Sequence, residues 1–147
     1  MPKKLIIWIA DTLMNRNFQV KIGSQLSSKS YPPSGTIQGG TLSPVIYCLA
    51  CNDSSSIIPP RYRGIAEIKA FADDLEISVQ QDKPEYIEAT YEILRNCEEW
   101  AKMRSITLNE KKCVKINYRK TTNVNYKLNG ITIRSVDTAK NLGCHYS

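Results

Sequence analysis

The chain has one histidine, His145, only two phenylalanines, and no apolar run long enough to span a membrane. A four-ligand zinc site is excluded at Cys48-Leu49-Ala50-Cys51: the spacing suits half of one, but no second Cys or His pair follows. Those two cysteines read instead as small buried thiols on a core helix running from Val45 to Cys51. The cysteines (Cys48, Cys51, Cys97, Cys113 and Cys144) are odd in number and scattered. With no secretion signal ahead of them, reduced thiols in an intracellular protein, nuclear or cytoplasmic, are the simplest reading. The apolar run Leu5 to Ala10 meets Asp11 at once, too soon for the hydrophobic region of a signal peptide. Internal repeats and low-complexity tracts are absent. Acid is scarce early, Asp11 being the only acidic residue before residue 50.

What is present suits one ordinary soluble domain. The 147 residues are 41% hydrophobic and 23% charged, enough to bury a real core. Twenty Lys and Arg against fourteen Asp and Glu leave a formal charge of +6. That excess suits a phosphate-bearing partner, although proteins that bind none also carry it.

The patterning predicts a helix over Leu5 to Leu13 and a strand over Phe18 to Gly23, then a polar loop through Pro32 and Pro33. Thr41-Leu42-Ser43-Pro44 has the hydroxyl and early proline of a helix start, and that helix runs to about Asn52. The longest helical pattern follows Lys83-Pro84. Ile87, Tyr91, Leu94, Cys97 and Ala101 keep to one face of it, and Glu85, Glu88, Glu92, Arg95 and Glu99 cover the other. Strand-like runs at Cys113 to Tyr118, Tyr126 to Leu128 and Ile131 to Arg134 close the chain, with Asn129-Gly130 a strong hairpin signal. The expected class is α+β, an antiparallel sheet packed on helices.

Two segments carry chemistry. Ile65 to Ala72 is largely apolar and Leu75 to Val79 alternates, so Asp73 and Asp74 sit at the tip of a β-hairpin. Adjacent carboxylates repel, and a tight turn presenting both suits a cation. Hard ions such as Mg²⁺ take one or two carboxylates together with substrate phosphates. The plainer alternative is a solvated turn, since Asp is a common turn residue. The second segment is Ser34-Gly35-Thr36-Ile37-Gln38-Gly39-Gly40-Thr41-Leu42-Ser43-Pro44, whose glycines let backbone approach a ligand closely. Alone it also reads as a plain loop before a helix.

In this order the two segments resemble the reverse transcriptases of non-LTR, LINE-like retrotransposons and their group II intron relatives. There a Ser-Gly-Val-Pro-Gln-Gly-Ser-x-Leu-Ser-Pro segment precedes a Tyr- or Phe-Ala-Asp-Asp hairpin. The matching residues are Ser34, Gly35, Gln38, Gly39, Leu42, Ser43 and Pro44, then Phe71, Ala72, Asp73 and Asp74. Asn52-Asp53 looks like the family's Ile-Asn-Asp-Leu stretch, and Trp8 to Leu13, Asn15-Arg16 and Val20 like the segment before the glycine loop. Downstream, Trp100, Leu108-Asn109 and Lys112 resemble its Trp…Leu-x-x-Asn-x-x-Lys element. Lys140-Asn141-Leu142-Gly143 resembles the hairpin that supports the primer terminus. Three positions depart: Ile37 stands for the usual Pro, Gly40 for a small hydroxyl residue, and Glu76 adds an acid on the strand face of Asp74.

The resemblance implies a partial polymerase palm over residues 1–147, without fingers or thumb. Its chemistry is nucleotidyl transfer by two metal ions, Mg²⁺ or Mn²⁺, to a DNA primer on an RNA template from a deoxynucleoside triphosphate. Asp73 and Asp74 take the metal role. Gly35, Gln38, Gly39 and Phe71 take the nucleotide and template, and Lys112 stands near the leaving pyrophosphate, unless it is a solvated cation beside Lys111. Lys111, Lys112, Lys115, Arg119 and Lys120 suit a nucleic-acid backbone, with Tyr118 as a stacking candidate or packed in its strand. The family's further aspartate lies on a strand before the region covered, so little or no activity is expected of the chain alone. The alternative is a non-catalytic nucleic-acid-binding remnant, or a piece completed by a separate chain.

Overall fold

A computed structural model describes residues 2–14, 16–32, 35–118, 124–141 and 144–146. Asn15, Pro33, Ser34, Arg119, Lys120, Leu142 and Gly143, all named above, lie outside the described residues. The chain divides into two compact units, Met1–Leu49 and Ala50–Ser147.

In the first unit, helix α1 spans Lys3–Leu13 and a short ribbon pairs β1 (Lys21–Ile22) with β2 (Gln25–Leu26). Helix α2, Ser43–Ala50, follows the glycine segment, with Pro44 in its first turn where the missing N–H costs nothing. None of the unit's described residues is fully buried, and Trp8, Phe18, Ile22 and Tyr31 are at least half exposed. The expected buried thiol pair is corrected here: Cys48 is exposed, and only Cys51, in the second unit, is buried.

The second unit holds the core. Strands β3 (Ala66–Phe71) and β4 (Asp74–Val79) form an antiparallel hairpin, and helix α3 spans Tyr86–Met103. α3 packs against β4, against the 3-10 turn Ser54–Ile57 and against the short strand Lys127–Leu128. Its buried residues are Ala89, Ile93, Cys97, Trp100 and Ala101, one stripe at helical spacing. The expected stripe is therefore rotated in its first half. Tyr91 is half exposed and makes an edge contact with Tyr126, and Glu92 is turned inward to pair with Arg61.

Short strands complete the unit: β5 (Val114–Ile116), β6 (Lys127–Leu128), β7 (Ile131–Thr132), β8 (Arg134–Val136), β9 (Ala139–Asn141) and β10 (Cys144–Tyr146). β6 and β7 pair through Asn129 (φ 48°) and Gly130 (φ 79°), both left-handed as a type I′ turn requires. β5 and β8 pair in parallel, a departure from the expected all-antiparallel sheet. The mixture of helices and small sheets is α+β.

Candidate functional site

The β3–β4 hairpin alternates strictly. Ala66, Ile68 and Ala70 share a side with their cross-strand partners Val79, Ile77 and Leu75, mostly half-buried. The opposite side carries Glu67, Lys69 and Phe71 across from Ser78, Glu76 and Asp74. Burial of the apolar side thus forces the acidic side outward, because a one-residue slip would bury the carboxylates instead.

Phe71 and Asp74 close a two-residue loop of Ala72 and Asp73. Ala72 has φ 51°, the left-handed conformation that such tight hairpins need and that glycine ordinarily supplies. An L-residue there costs about 1–2 kcal/mol. Both aspartates are exposed, and neither carboxylate has a hydrogen bond or ion pair among the described residues. Phe71, 64% exposed, stands beside Asp74.

Glu76 lies two residues along the same face and is half-buried. It accepts a hydrogen bond from the Tyr146 hydroxyl at 3.4 Å. The β9–β10 ribbon, whose register pairs Cys144 with Asn141, thereby reaches the acidic face of β4. Sequence resemblance pointed to both hairpins without showing that they touch.

The glycine segment forms its own structure in the first unit. Gly40 N–H donates to Ile37 O at 3.0 Å, closing a turn with Gly39 (φ 81°) at the position where a type II turn demands a positive φ. The Ser43 hydroxyl donates to the same carbonyl at 2.6 Å. A Cβ on Gly40 would stand 2.9 Å from Ser43 Oγ and 3.1 Å from Ile37 O, which accounts for glycine at this position. Arg16 ties the segment to α1, its Nη2 donating to Gly35 O at 2.6 Å and its Nε to Leu13 O at 3.0 Å. Gln38 is exposed at the apex of the turn.

Lys112 is exposed in a turn after α3, where its N–H donates to Asn109 O at 3.0 Å. Asn129 anchors that turn: its side-chain amide donates to Glu110 and holds the Glu110 carboxyl below its usual range, while its backbone N–H donates to Glu98 on α3. Lys115 is not free to track a backbone. Its ammonium donates to Val124 O at 2.8 Å and lies 5.2 Å from the centre of the Tyr126 ring.

A second cluster went unforeseen although Asp53 and Trp100 were both marked by resemblance. Trp100 Nε1 donates to Asp53 Oδ1 at 3.2 Å, and Arg104 Nη2 donates to Asp53 Oδ2. The Arg104 guanidinium stacks over Trp100, 4.7 Å from the ring centre, and its Nε reaches Ala50 O at 3.3 Å. Ala50, where the second unit begins, is thus held to the end of α3. No sequence signal marked Arg104.

Asp73 and Asp74 supply hard oxygen donors, the right kind for Mg²⁺ or Mn²⁺, which complete their shells with water and phosphate oxygens. They fit such an ion in kind. Among the described residues, no group of three His, Cys, Asp or Glu side chains is placed to hold a metal. No helix among them is long and apolar enough to cross a membrane.

Fold and site together define an α+β chain with an outward carboxylate hairpin and a separate glycine turn. The family model described as reverse transcriptase (RNA-dependent DNA polymerase) matches residues 1–146, and the chain belongs to that family. Neither the curated proteins nor the solved structures give a match.

Proposed function

We propose that this chain is the central-to-late part of a polymerase palm, residues 1–147 forming one partial reverse transcriptase domain of a non-LTR, LINE-like retrotransposon. It serves DNA synthesis on an RNA template. The observation that carries the reading is the hairpin tip. Burial of the apolar side of β3–β4 turns Phe71 and Asp74 outward, and the exposed Asp73 lies in the loop between them, within a chain of this family.

Asp73 and Asp74 would hold a divalent ion, Mg²⁺ or Mn²⁺. A bound pair of such ions supplies charge neutralisation at the attacking and leaving oxygens. The remaining roles fall to the chain itself. Phe71 lies alongside the primer or nucleotide. Gly35, Gln38 and Gly39 offer a turn with little side-chain bulk, against which a template base and incoming nucleotide rest. Lys112 presents a cation, or a proton, toward the leaving pyrophosphate. The hydroxyl of Tyr146 orients Glu76 beside the acidic tip.

We further infer that the chain alone does not complete nucleotidyl transfer. Two exposed carboxylates hold an ion weakly, and clamping both reacting oxygens asks for more donors than the tip provides. The second reading, a non-catalytic nucleic-acid-binding remnant, draws on the same exposed surface. Primer extension on an RNA template with Mg²⁺ or Mn²⁺ separates the two parts of the proposal. Expected is no extension by the chain alone. Template-dependent extension that Asp73→Ala abolishes would overturn the inactivity and leave the site assignment standing.

A further inference from the structure

Lys21, Lys29 and Tyr31 carry none of the polymerase roles given above, and they lie in a stretch poor in acid. Between Asp11 and Asp53 there is no Asp or Glu, while Arg16, Lys21 and Lys29 fall within that stretch. Lys21 and Lys29 lie on the β1–β2 ribbon. Gly23 (φ 61°) makes its turn, and Ile22 pairs with Gln25 and Lys21 with Leu26.

Further bonds extend the ribbon beyond its two short strands. Ser27 N–H donates to Val20 O, and Val20 N–H to Ser27 Oγ, both at 2.9 Å. Phe18 and Ser30 exchange backbone hydrogen bonds of 2.9 and 3.0 Å. Between Ser27 and Ser30 the second strand carries one extra residue, a bulge opposite Gln19 that brings Ser30 to the side of Phe18.

Alternation puts Phe18, Val20 and Ile22 on one side and Lys21 on the other. Ser30 lies opposite Phe18 and shares its side, so its neighbours Lys29 and Tyr31 stand on the side of Lys21. All three are exposed, Tyr31 to 67%, and neither lysine has an ion-pair partner among the described residues. At the rise of a strand, the two lysines are about 10 Å apart along the ribbon. Lys115, by contrast, is spent on internal contacts.

We propose that the Lys21–Lys29–Tyr31 side of this ribbon is a contact surface for single-stranded nucleic acid, with the lysines on phosphates and Tyr31 stacked on a base. Unpaired cations beside an exposed aromatic ring are what sequence-tolerant single-strand binding uses. The ribbon's own strands bring no carboxylate to repel phosphates, since no Asp or Glu lies between Asp11 and Asp53. This rests on the reading that the chain works on nucleic acid, and adds to it a contact surface made of residues other than those of the carboxylate hairpin.

The test is fluorescence anisotropy of a labelled single-stranded RNA with the full chain across a salt series. Lys21→Gln/Lys29→Gln should weaken binding about tenfold and flatten the salt slope by about 1.4, the share of two phosphate contacts on a single strand. Tyr31→Ala should weaken it about fivefold or more, and Tyr31→Phe, which keeps the ring, should bind as the unaltered chain does. Equal affinity and slope in the double lysine variant, with RNA bound by the unaltered chain, overturns the ribbon assignment alone. No RNA binding by the unaltered chain overturns the nucleic-acid reading as well, and binding only to phosphatidylserine vesicles would assign the surface to a membrane.

Discussion

At the scale of single residues, left-handed backbone marks the turns that present candidate groups. Gly39 sits at the one turn position that needs a positive φ, and Gly40 where a Cβ would crowd Ile37 and Ser43. These glycines were legible as a loop, because glycine spacing is a local property. Ala72 was not, since nothing in Phe-Ala-Asp-Asp announces an alanine at φ 51°. Backbone strain persists where the surroundings over-determine it, often at functional sites. Ala72→Gly should therefore raise stability by up to about 1 kcal/mol, the relieved strain exceeding the flexibility added to the unfolded chain. Thermal melting would show this as a rise of a few degrees. A lower melting temperature would mean that Ala72 is unstrained in its hairpin.

At the scale of elements, the period of α3 was legible and its phase only in part. Cys97 and Ala101 fell on the buried side as expected, while Ala89, Ile93 and Trp100 replace Ile87, Tyr91 and Leu94 in the stripe. The deciding partners are distant. Tyr126 takes Tyr91 at the rim, and Arg61 draws Glu92 inward. A single helical wheel does not contain that information. Burial on this stripe pushes the Cys97 thiol up to about 11 from an ordinary value of 9.0, with smaller contributions from nearby Cys113 and Glu98. The folded chain then keeps a proton that the unfolded chain releases. Stability is full below about pH 9 and falls as pH rises toward 11, because the unfolded state binds fewer protons there. Cys113 and Tyr126, both raised by burial, act in the same sense. Urea denaturation between pH 8 and pH 11 should show the decline, with a shallower slope in Cys97→Ala. A slope unchanged by that substitution would place the titration elsewhere.

At the scale of the whole molecule, the order of motifs was more legible than their contacts. Glycine turn, carboxylate hairpin and late ribbon were each read from short-range patterns, and the family match covers them all. What joins them within the second unit was not readable. Tyr146 meets Glu76 and Arg104 meets Asp53 across long stretches of chain, by bonds that leave no local trace. The parallel pairing of β5 with β8 is of the same kind. The account stands most directly on the claim that Asp73 and Asp74 hold a divalent ion. Titrating Mn²⁺ into ¹⁵N-labelled chain and following amide line-broadening tests it. The account predicts broadening centred on Ala72 to Leu75, relieved by excess Mg²⁺ and lost in Asp73→Asn/Asp74→Asn. Broadening centred elsewhere, or retained in that double variant, would contradict it.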